Sequence, residues 1–311
     1  MSFTRIVGTG SFLPEKPLSN DELATRVDTS HEWIVSRTSI EARHIAAHGE
    51  RTSDLAVRAN RLALESAGIS ANEVDLIVVT ATTPDRTFSS TACLVQRALG
   101  IRHAAAFDLQ AVCAGFIYAL SITDRLIATG SHQCALVIGA DTFSRLLDWN
   151  NRSTCVLFGD GAGAVVLRRS GHAGIIASRL HSDGELVDIL RVDGSICDGQ
   201  IEGHPFVQMD GRAVFKTAVR ELEASARLTL GDADMSVSDI DCYIPHHANL
   251  RIIHAVADRL NVPRDRVVTT VAQQGNTSAA SVPLALDGAV RKGFAQPGHR
   301  LMLQGVGAGM A

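Results

Sequence analysis

Short apolar runs alternate with amphipathic stretches along most of this chain. The runs at 76–79 and 135–139 are apolar or glycine at every position, which is typical of strands buried on both faces of a sheet. Helical periodicity at 53–67 and 213–228 precedes two of the predicted strands. This alternation predicts an α/β protein whose parallel sheets are covered by helices on both faces.

The second half of the chain repeats the pattern of the first. The strand that follows Asp75 matches the strand that follows Asp241, 166 positions later. The strand at 135–139 matches the strand at 301–305 at the same separation. A duplicated unit of this kind predicts two sheets with helices between and outside them, although chance similarity between α/β elements is the alternative.

Both halves also run into a glycine-rich turn, at 159–163 and at 305–309, but here the separation falls to 146 positions. The first half therefore carries an insertion of about 20 residues, a length that suits a functional loop. We predict an N-terminal half over 1–168 and a C-terminal half over 169–311. The second half stops at Ala311 where the first continues into a strand, so we expect that closing strand to be missing.

Composition excludes several classes of protein. The 311 residues carry a net charge of −4, which argues against nucleic-acid binding but allows a local basic patch for an acidic protein partner. No signal peptide and no apolar run of membrane-spanning length is found, so we expect no membrane contact. The six cysteines include no C-x-x-C pair, which indicates free thiols in a reducing compartment, and hence a cytoplasmic protein.

Cys113 differs from the other five cysteines in its setting. It lies where a predicted strand at 105–112 turns into a helix that opens with the small residues Ala114 and Gly115. A helix N-terminus presents free amide hydrogens and the positive end of a dipole, so we expect it to favour a thiolate. A buried, inert thiol is the usual role of a free cysteine, and Cys113 is the one candidate nucleophile.

His246 and Asn276 are the other candidate catalytic residues. His246 follows a strand of the second half, and ligands of α/β sheets bind at such strand ends. Asn276 lies in the second-half segment that we match to the segment of Cys113, so a pseudo-twofold axis would bring the two face to face. An ordinary hydrogen-bonded histidine and a helix N-cap are the alternatives. The pair His246 and His247 has no carboxylate or cysteine at ligand spacing, so we expect no metal.

Five segments together resemble β-ketoacyl-acyl carrier protein synthase III. They are residues 112–116, 245–253 and 275–281, which resemble its three catalytic motifs, and residues 28–38 and 158–164. The likeness runs in order over nearly the whole chain. It implies the thiolase fold, in which two duplicated αβα halves form a five-layer αβαβα architecture.

The resemblance also implies a homodimeric acyltransferase that starts fatty-acid chains by a decarboxylating Claisen condensation. Cys113 would take an acyl group from acyl-coenzyme A, with acetyl as the expected starter, and pass it to malonyl-acyl carrier protein. His246 and Asn276 would stabilise the enolate oxygen, and the backbone amides of Cys113 and Ala308 would form an oxyanion hole. No resident cofactor is implied, because acyl-coenzyme A is a substrate.

Substrate-binding residues follow from the same resemblance. Trp33 and Arg152, which lies in the inserted loop, would enclose the adenine of coenzyme A, and Arg37 would meet its phosphates. The pantetheine arm and the acidic carrier protein would be contacted by residues of the second half, namely Gly211 and Asn249 for the arm, and Lys216 and Arg251 for the carrier. A solvated surface is the alternative for the exposed basic residues.

The resemblance also assigns residues to an acyl pocket. Phe88 would cross a dimer interface and close the floor of the partner's acyl pocket, with an ordinary core phenylalanine as the alternative. Val306 stands where the family commonly has an aromatic residue and would open the mouth of the acyl tunnel. His31 and Ser39 also depart from the family pattern, and both flank the coenzyme A segment.

Three other functions are compatible with parts of this pattern. A ketosynthase III-like acyltransferase of secondary metabolism would share the trio, because pocket shape sets the starter and the acceptor. A Cys-His-Asn protease would share the residue types but not a duplicated α/β unit. A non-catalytic binding protein on the same fold would not need Cys113, His246 and Asn276 together.

Overall fold

The computed structural model of this protein describes residues 3–310. Its helices are α1 (Asn20–Ala24), α2 (His31–Thr38), α3 (Thr52–Ala67), α4 (Thr91–Ala98), α5 (Gly115–Ala128), α6 (Gly211–Asp232), α7 (Leu250–Leu260), α8 (Val271–Gln274) and α9 (Ser281–Arg291). Its strands are β1 (Phe3–Phe12), β2 (Pro17–Ser19), β3 (Ala42–His44), β4 (Leu76–Thr80), β5 (Ala105–Leu109), β6 (Cys134–Asp141), β7 (Gly161–Ser170), β8 (Leu190–Arg191), β9 (Ser195–Cys197), β10 (Gln200–Glu202), β11 (Gln208–Met209), β12 (Cys242–Pro245) and β13 (Leu301–Gln304). Among these residues no helix is both long and apolar enough to cross a membrane.

The first half forms a five-stranded sheet in the order β1-β7-β6-β4-β5. β4 is parallel to β5 and β6, as predicted, whereas β7 is antiparallel to β6 and to β1. The prediction of wholly parallel sheets is therefore wrong for this edge of the sheet. The reason is the connection: β7 returns from β6 through the inserted loop without the helical crossover that a parallel pair requires.

The second half has a smaller sheet in which β12 and β13 are parallel. The strand predicted after Val267 is reduced to a single bridge between Val267 and Tyr243. The predicted division of the halves at 168/169 lies just inside the end of β7, and it stays a prediction. The expected absence of a closing strand concerns Ala311, which lies outside the described residues.

Side chains on the two faces of each sheet belong to different cores. Ile77 and Val79 of β4 pack with α3 and α4, whereas Leu76 and Val78 face the other way, onto α5 and α9. Cys242 and Ile244 of β12 share that second core, and Tyr243 faces α6 and α7. The resulting order is helices, sheet, helices, sheet, helices. The predicted five-layer αβαβα architecture is confirmed.

The central layer lies unusually close to the first sheet. A Cβ atom on Gly139 of β6 would lie 2.2 Å from the carbonyl oxygen of Ala279, and one on Gly163 of β7 would lie 2.7 Å from the amide nitrogen of Leu284. The backbone of α9 and of the turn before it therefore packs directly on strand backbone. Asp287 of α9 also accepts hydrogen bonds from the hydroxyls of Thr9 and Ser11 in β1.

Replacement of Gly139 by alanine tests this close approach. We expect the Gly139→Ala variant to be destabilised by about 1–3 kcal/mol or more, because overpacking displaces backbone atoms rather than flexible side chains. Urea unfolding followed by circular dichroism measures the change, with Gly171→Ala as control, since a Cβ there meets no atom within 4 Å. Equal stability of the two variants would contradict the proposed packing.

Candidate active site

Strand ends of both sheets meet at one place. β5 ends just before Cys113, β12 ends immediately before His246, and β13 ends just before the glycine-rich turn at 305–309. The carboxyl ends of parallel strands are the usual position of ligand sites in α/β proteins. The sequence analysis applied this rule to His246, and the structure shows that Cys113 also follows a strand end.

A single 3-10 turn, Val112–Ala114, places Cys113 between β5 and α5. Val112 has a φ of 47°, which is uncommon for a β-branched residue and indicates that the surroundings hold the turn in this shape. Cys113 is 4% exposed, and its Sγ donates a hydrogen bond to Ser278 Oγ at 3.6 Å. The thiol is therefore buried and oriented toward the second half of the chain.

The second half contains an equivalent turn before α9. Ser278–Ala280 is a 3-10 turn, and Ser278 has a φ of 51°, close to that of Val112. At the separation of 166 positions, Val112 matches Ser278 and Cys113 matches Ala279. The match of Asn276 with Cys113 inferred from the sequence is thus displaced by three residues, because it aligned residue types rather than backbone turns.

His246 is buried and is held by α9. Its Nδ1 lies 2.7 Å from Ser281 Oγ, which also accepts a hydrogen bond from the backbone N–H of His247. In the tautomer that carries its proton on Nε2, the Nδ1 of His246 accepts a hydrogen bond from the Ser281 hydroxyl. Burial, together with the neighbouring His247, lowers the pKa of His246 to about 3. The imidazole is therefore a neutral hydrogen-bond donor.

Asn276 is fixed through its backbone and its side-chain oxygen. Its N–H donates to the Leu157 carbonyl at 2.8 Å and its carbonyl accepts from Gly159 N at 2.9 Å. Its Oδ1 accepts a hydrogen bond from Ser278 N at 2.9 Å. Since the oxygen is engaged, the side-chain N–H groups are left as the donors of this residue.

The three candidate residues are joined by one segment, residues 276–281. Asn276 begins this segment, Ser278 contacts the thiol of Cys113, and Ser281 contacts the ring of His246. The structure thus brings the predicted trio into one neighbourhood. The sequence analysis singled out this segment but assigned no role to Ser281. The available signal was that Ser281 is a polar residue at the end of a catalytic motif, where it begins α9.

The turn predicted to complete the oxyanion hole lies against the nucleophile. A Cβ atom on Gly307 would lie 3.2 Å from the amide nitrogen of Cys113 and 2.6 Å from the carbonyl oxygen of Ala111. Ala308 follows directly and begins the 3-10 turn Ala308–Met310. The two backbone segments named from the sequence therefore lie side by side.

The electrostatics of the thiol differ from the expectation. Burial and, to a smaller extent, the nearby Asp141 raise the pKa of Cys113 to about 12, although hydrogen bonds with Ser278 and with its own backbone amide oppose this rise. The expected lowering of the pKa by the helix N-terminus is outweighed by desolvation. Cys113 is therefore a thiol rather than a thiolate at neutral pH.

The predicted coenzyme A residues form a cluster at the protein surface. Arg37 and Arg152 both lie over the Trp33 ring, with guanidinium carbons 4.4 and 5.1 Å from its centroid. Arg152 Nη1 donates to the carbonyl oxygen of Asp28 at 2.8 Å and to its carboxylate at 3.1 Å. A ring stacked between Trp33 and Arg152 needs about 7 Å, twice the usual carbon contact distance, so Arg152 must move outward by roughly 2 Å.

The other predicted binding residues lie on two neighbouring helices of the second half. Gly211 begins α6, which also carries the exposed Lys216. Asn249 caps α7, because its side-chain oxygen accepts a hydrogen bond from Ile252 N at 3.0 Å. Arg251 lies next to it on α7, with its guanidinium 5.7 Å from the ring of Phe215 on α6. The predicted docking residues therefore share one face.

The two acyl-pocket residues have opposite environments. Phe88 is 85% exposed in the single chain, so the alternative of an ordinary core phenylalanine is wrong. Val306 is buried among residues of the α6 and α7 core. It also lines a cavity of about 1140 Å³, together with Ala114, Ile117 and Tyr118 of the segment that follows Cys113.

Comparison with known proteins agrees with this architecture. The family model described as 3-Oxoacyl-[acyl-carrier-protein (ACP)] synthase III matches residues 107–184, and its C-terminal counterpart matches residues 230–311. A beta-ketoacyl-[acyl-carrier-protein] synthase III of Bordetella petrii is 54% identical over 99% of this chain and 96% of its own length. 

Two solved structures superimpose closely on this chain. The 3-oxoacyl-[acyl-carrier-protein] synthase III of Aquifex aeolicus has a TM-score of 0.94 at 43% identity, with 99% of this chain and 97% of that chain covered. The priming beta-ketosynthase of the R1128 polyketide pathway has a TM-score of 0.94 at 39% identity, with 99% and 93% covered.

The fold and these likenesses define a thiolase-fold condensing enzyme, which is an acyltransferase. More narrowly, the chain belongs to the 3-oxoacyl-[acyl-carrier-protein] synthase III family, as the sequence resemblance predicted. Its reaction is the condensation that initiates fatty-acid synthesis.

Arg152→Ala tests the surface cluster as a nucleotide site. We expect KM for acetyl-coenzyme A to rise by roughly 3- to 30-fold, the equivalent of one cation–π contact, with a smaller change in kcat. Steady-state kinetics measure this, and Arg61→Ala, an exposed arginine on α3, is the control. An unchanged KM for Arg152→Ala would remove Arg152 from the binding site.

Proposed function

We propose that Cys113 accepts an acyl group, acetyl foremost, from acyl-coenzyme A and condenses it with malonyl-acyl carrier protein. The single observation that carries this assignment is the junction of Cys113, His246 and Asn276 through the segment 276–281. The product is a 3-oxoacyl-acyl carrier protein.

In the first half-reaction the sulfur of Cys113 attacks the thioester carbonyl, and coenzyme A leaves as a thiol. Negative charge develops on the carbonyl oxygen, and the backbone amides of Cys113 and Ala308 are the proposed donors that stabilise it. Support comes from Gly307, whose position against the Cys113 amide leaves no room for a side chain. The small Ala114 directly after Cys113 is proposed to leave access to the sulfur.

In the second half-reaction malonyl-acyl carrier protein loses carbon dioxide and its α-carbon attacks the acyl carbonyl on Cys113. The electrons of the broken carbon–carbon bond pass into an enolate, and its oxygen accepts hydrogen bonds from His246 and Asn276. Both donors are neutral, since burial keeps the pKa of His246 far below neutrality. Neutral donors stabilise the developing anion without holding the malonyl carboxylate as a fixed ion pair.

Substrate binding is proposed to use two exposed surfaces. Trp33, Arg37 and Arg152 suit a nucleotide, because a planar base can stack and the guanidinium groups can meet phosphates. The face that carries Lys216 and Arg251 suits an acidic carrier protein, with Gly211 and Asn249 at the helix starts nearby for the pantetheine arm.

A homodimer is proposed on the basis of the first sheet. Within residues 3–310, β5 lies at the edge of this sheet and pairs on one side only, with β4, and three of its five residues are exposed. An unprotected edge strand of this kind favours pairing with a second copy. The exposed Phe88 is then available to enter the partner's acyl pocket. A cytoplasmic location is proposed because all six cysteines, which lie within the described residues, are free thiols.

A second candidate function is supported by one observation, the likeness to a priming beta-ketosynthase of a polyketide pathway. Such an enzyme shares the chemistry and differs in starter and acceptor. Condensation rates with a fatty-acid carrier protein and with a polyketide carrier protein distinguish the two functions.

The paired half-reactions test the assigned roles. We expect Cys113→Ala to gain no acetyl mass from acetyl-coenzyme A. We expect His246→Ala and Asn276→Ala to become acetylated but to lose malonyl decarboxylation by roughly 10²–10³-fold, the usual effect of removing one oxyanion donor. Intact-protein mass and carbon dioxide release measure the two steps.

Cys242→Ala is the control for the first step, because Cys242 is a buried thiol in a strand rather than at a helix start. A retained adduct on Cys113→Ala, or an Asn276→Ala variant that decarboxylates normally but is not acetylated, would contradict the assignment.

Phe88→Ala tests the shared acyl pocket. Removal of the ring frees tens of cubic ångströms, about the volume of several methylene groups, so the variant should accept longer starters. Acyl-enzyme mass after incubation with acyl-coenzyme A of increasing length measures this, and Phe294→Ala, another exposed phenylalanine, is the control. An unchanged starter range in a dimeric Phe88→Ala would exclude Phe88 from the pocket.

A further inference from the structure

Arg43 is a buried arginine to which the condensation chemistry assigns no role. It lies in β3 and has no exposed surface. Within residues 3–310 it forms no ion pair with a carboxylate, and its Nε has no hydrogen-bond partner. A buried charge without a counter-charge destabilises a folded chain. Stability alone would therefore favour an apolar side chain at this position.

One side of the guanidinium is fixed to β2 and to the start of α1. Nη1 of Arg43 donates to Asn20 Oδ1 at 2.8 Å and to the carbonyl oxygen of Leu18 at 3.2 Å. Asn20 is itself fully buried, and its Nδ2 donates to the carbonyl oxygen of Ile40 at 2.7 Å. Both partners of Nη1 are therefore held in place by the surrounding backbone.

The other side of the guanidinium contacts the segment that pairs with Asn276. Nη2 of Arg43 donates to the carbonyl oxygen of Val156 at 2.8 Å. The next three residues, 157–159, form the two main-chain hydrogen bonds of Asn276, at 2.8 and 2.9 Å. Arg43 thus holds the stretch of backbone on which the backbone of Asn276 rests.

The aliphatic stem of Arg43 lies against both members of this backbone pair. A Cβ atom on Gly159 would lie 3.0 Å from the Cβ atom of Arg43, and one on Gly275 would lie 3.1 Å from it. These two glycines flank the bridge between Phe158 and Asn276. The stem and the guanidinium of Arg43 therefore act on the same bridge.

We propose that Arg43 is a positioning residue that fixes Asn276 for malonyl decarboxylation. A planar guanidinium suits this role, because its fork donates to acceptors on two sides at once and an apolar side chain donates to none. The inference rests on the proposed function, in which Asn276 donates to the enolate oxygen.

The end of the segment 276–281 that lies near Cys113 and His246 is held by other contacts. Ala279 packs against Gly139 of β6, and Ser281 contacts the ring of His246. Neither contact involves Arg43. Loss of the guanidinium should therefore impair decarboxylation and leave the acylation of Cys113 intact.

Main-chain bonds of β3 and of the residue before it offer an alternative support. The carbonyl oxygen of His44 accepts from Asp160 N at 2.8 Å, and Glu41 N donates to the carbonyl oxygen of Ala272 at 2.7 Å. These bonds lie beyond the bridge on either side. If they positioned Asn276 by themselves, the side chain of Arg43 would contribute to stability alone.

Arg43→Met tests the positioning role, because methionine fills the space without donating hydrogen bonds. We expect malonyl decarboxylation to fall by roughly 10- to 100-fold, the effect of a displacement of about 1 Å, while acetylation of Cys113 stays near the wild-type rate. Arg43→Lys keeps a buried cation without the fork, so we expect an intermediate loss. Carbon dioxide release and intact-protein mass measure the two steps.

Leu23→Ala is the matched control for a general loss of stability. Leu23 is fully buried in the same apolar cluster as Val156, so this variant should unfold at lower urea concentration but keep both half-reactions. Amide hydrogen exchange adds a readout besides activity. The amides of Gly159 and Asn276 should exchange faster in Arg43→Met than in Leu23→Ala.

A wild-type ratio of decarboxylation to acetylation in Arg43→Met would overturn the positioning role, and so would an equal fall in both half-reactions. Arg43→Lys carries the same test if Arg43→Met does not fold. If Asn276→Ala itself decarboxylated at the wild-type rate, the proposed function would fail instead, which is a distinguishable result.

Discussion

The close contact of α9 with β6 and β7 is the constraint on which the rest of this structure depends. Gly139 and Gly163 allow helix backbone to lie against strand backbone, where a single methyl group would collide. This contact fixes the segment 276–281 at a defined height above the first sheet. The same segment contacts the thiol and the imidazole and contains the amide. A change in the packing of the central layer therefore also changes the geometry of the site.

Placement of the site in the central layer has two opposite electrostatic effects. Desolvation keeps His246 neutral, which suits a donor to a developing anion. The same desolvation makes the thiol of Cys113 harder to ionise. In a site built from uncharged donors, the ionised form of the nucleophilic thiol therefore needs stabilisation, and the helix N-terminus at α5 supplies only part of it.

Much of this arrangement could be predicted from the sequence because it depends on local patterns. The apolar runs of β4 and β6 and the helix start at Cys113 are recorded in consecutive residues. The antiparallel return of β7 was missed because an apolar run has no direction until its connection is known. The high pKa of Cys113 was missed for a related reason, since burial depends on segments far away in the chain.

The position of α9 also bears on how the protein is made. One face of the first sheet, with Val137, Val165 and Leu167, is covered in part by α9. That helix begins more than a hundred residues after β7 ends. During translation, the strands of the first sheet can therefore pair while part of its apolar face is still exposed to solvent. The first half therefore cannot bury this apolar face by itself. A ribosome-bound intermediate exposes an apolar surface that chaperones can bind until Ser281–Arg291 has emerged.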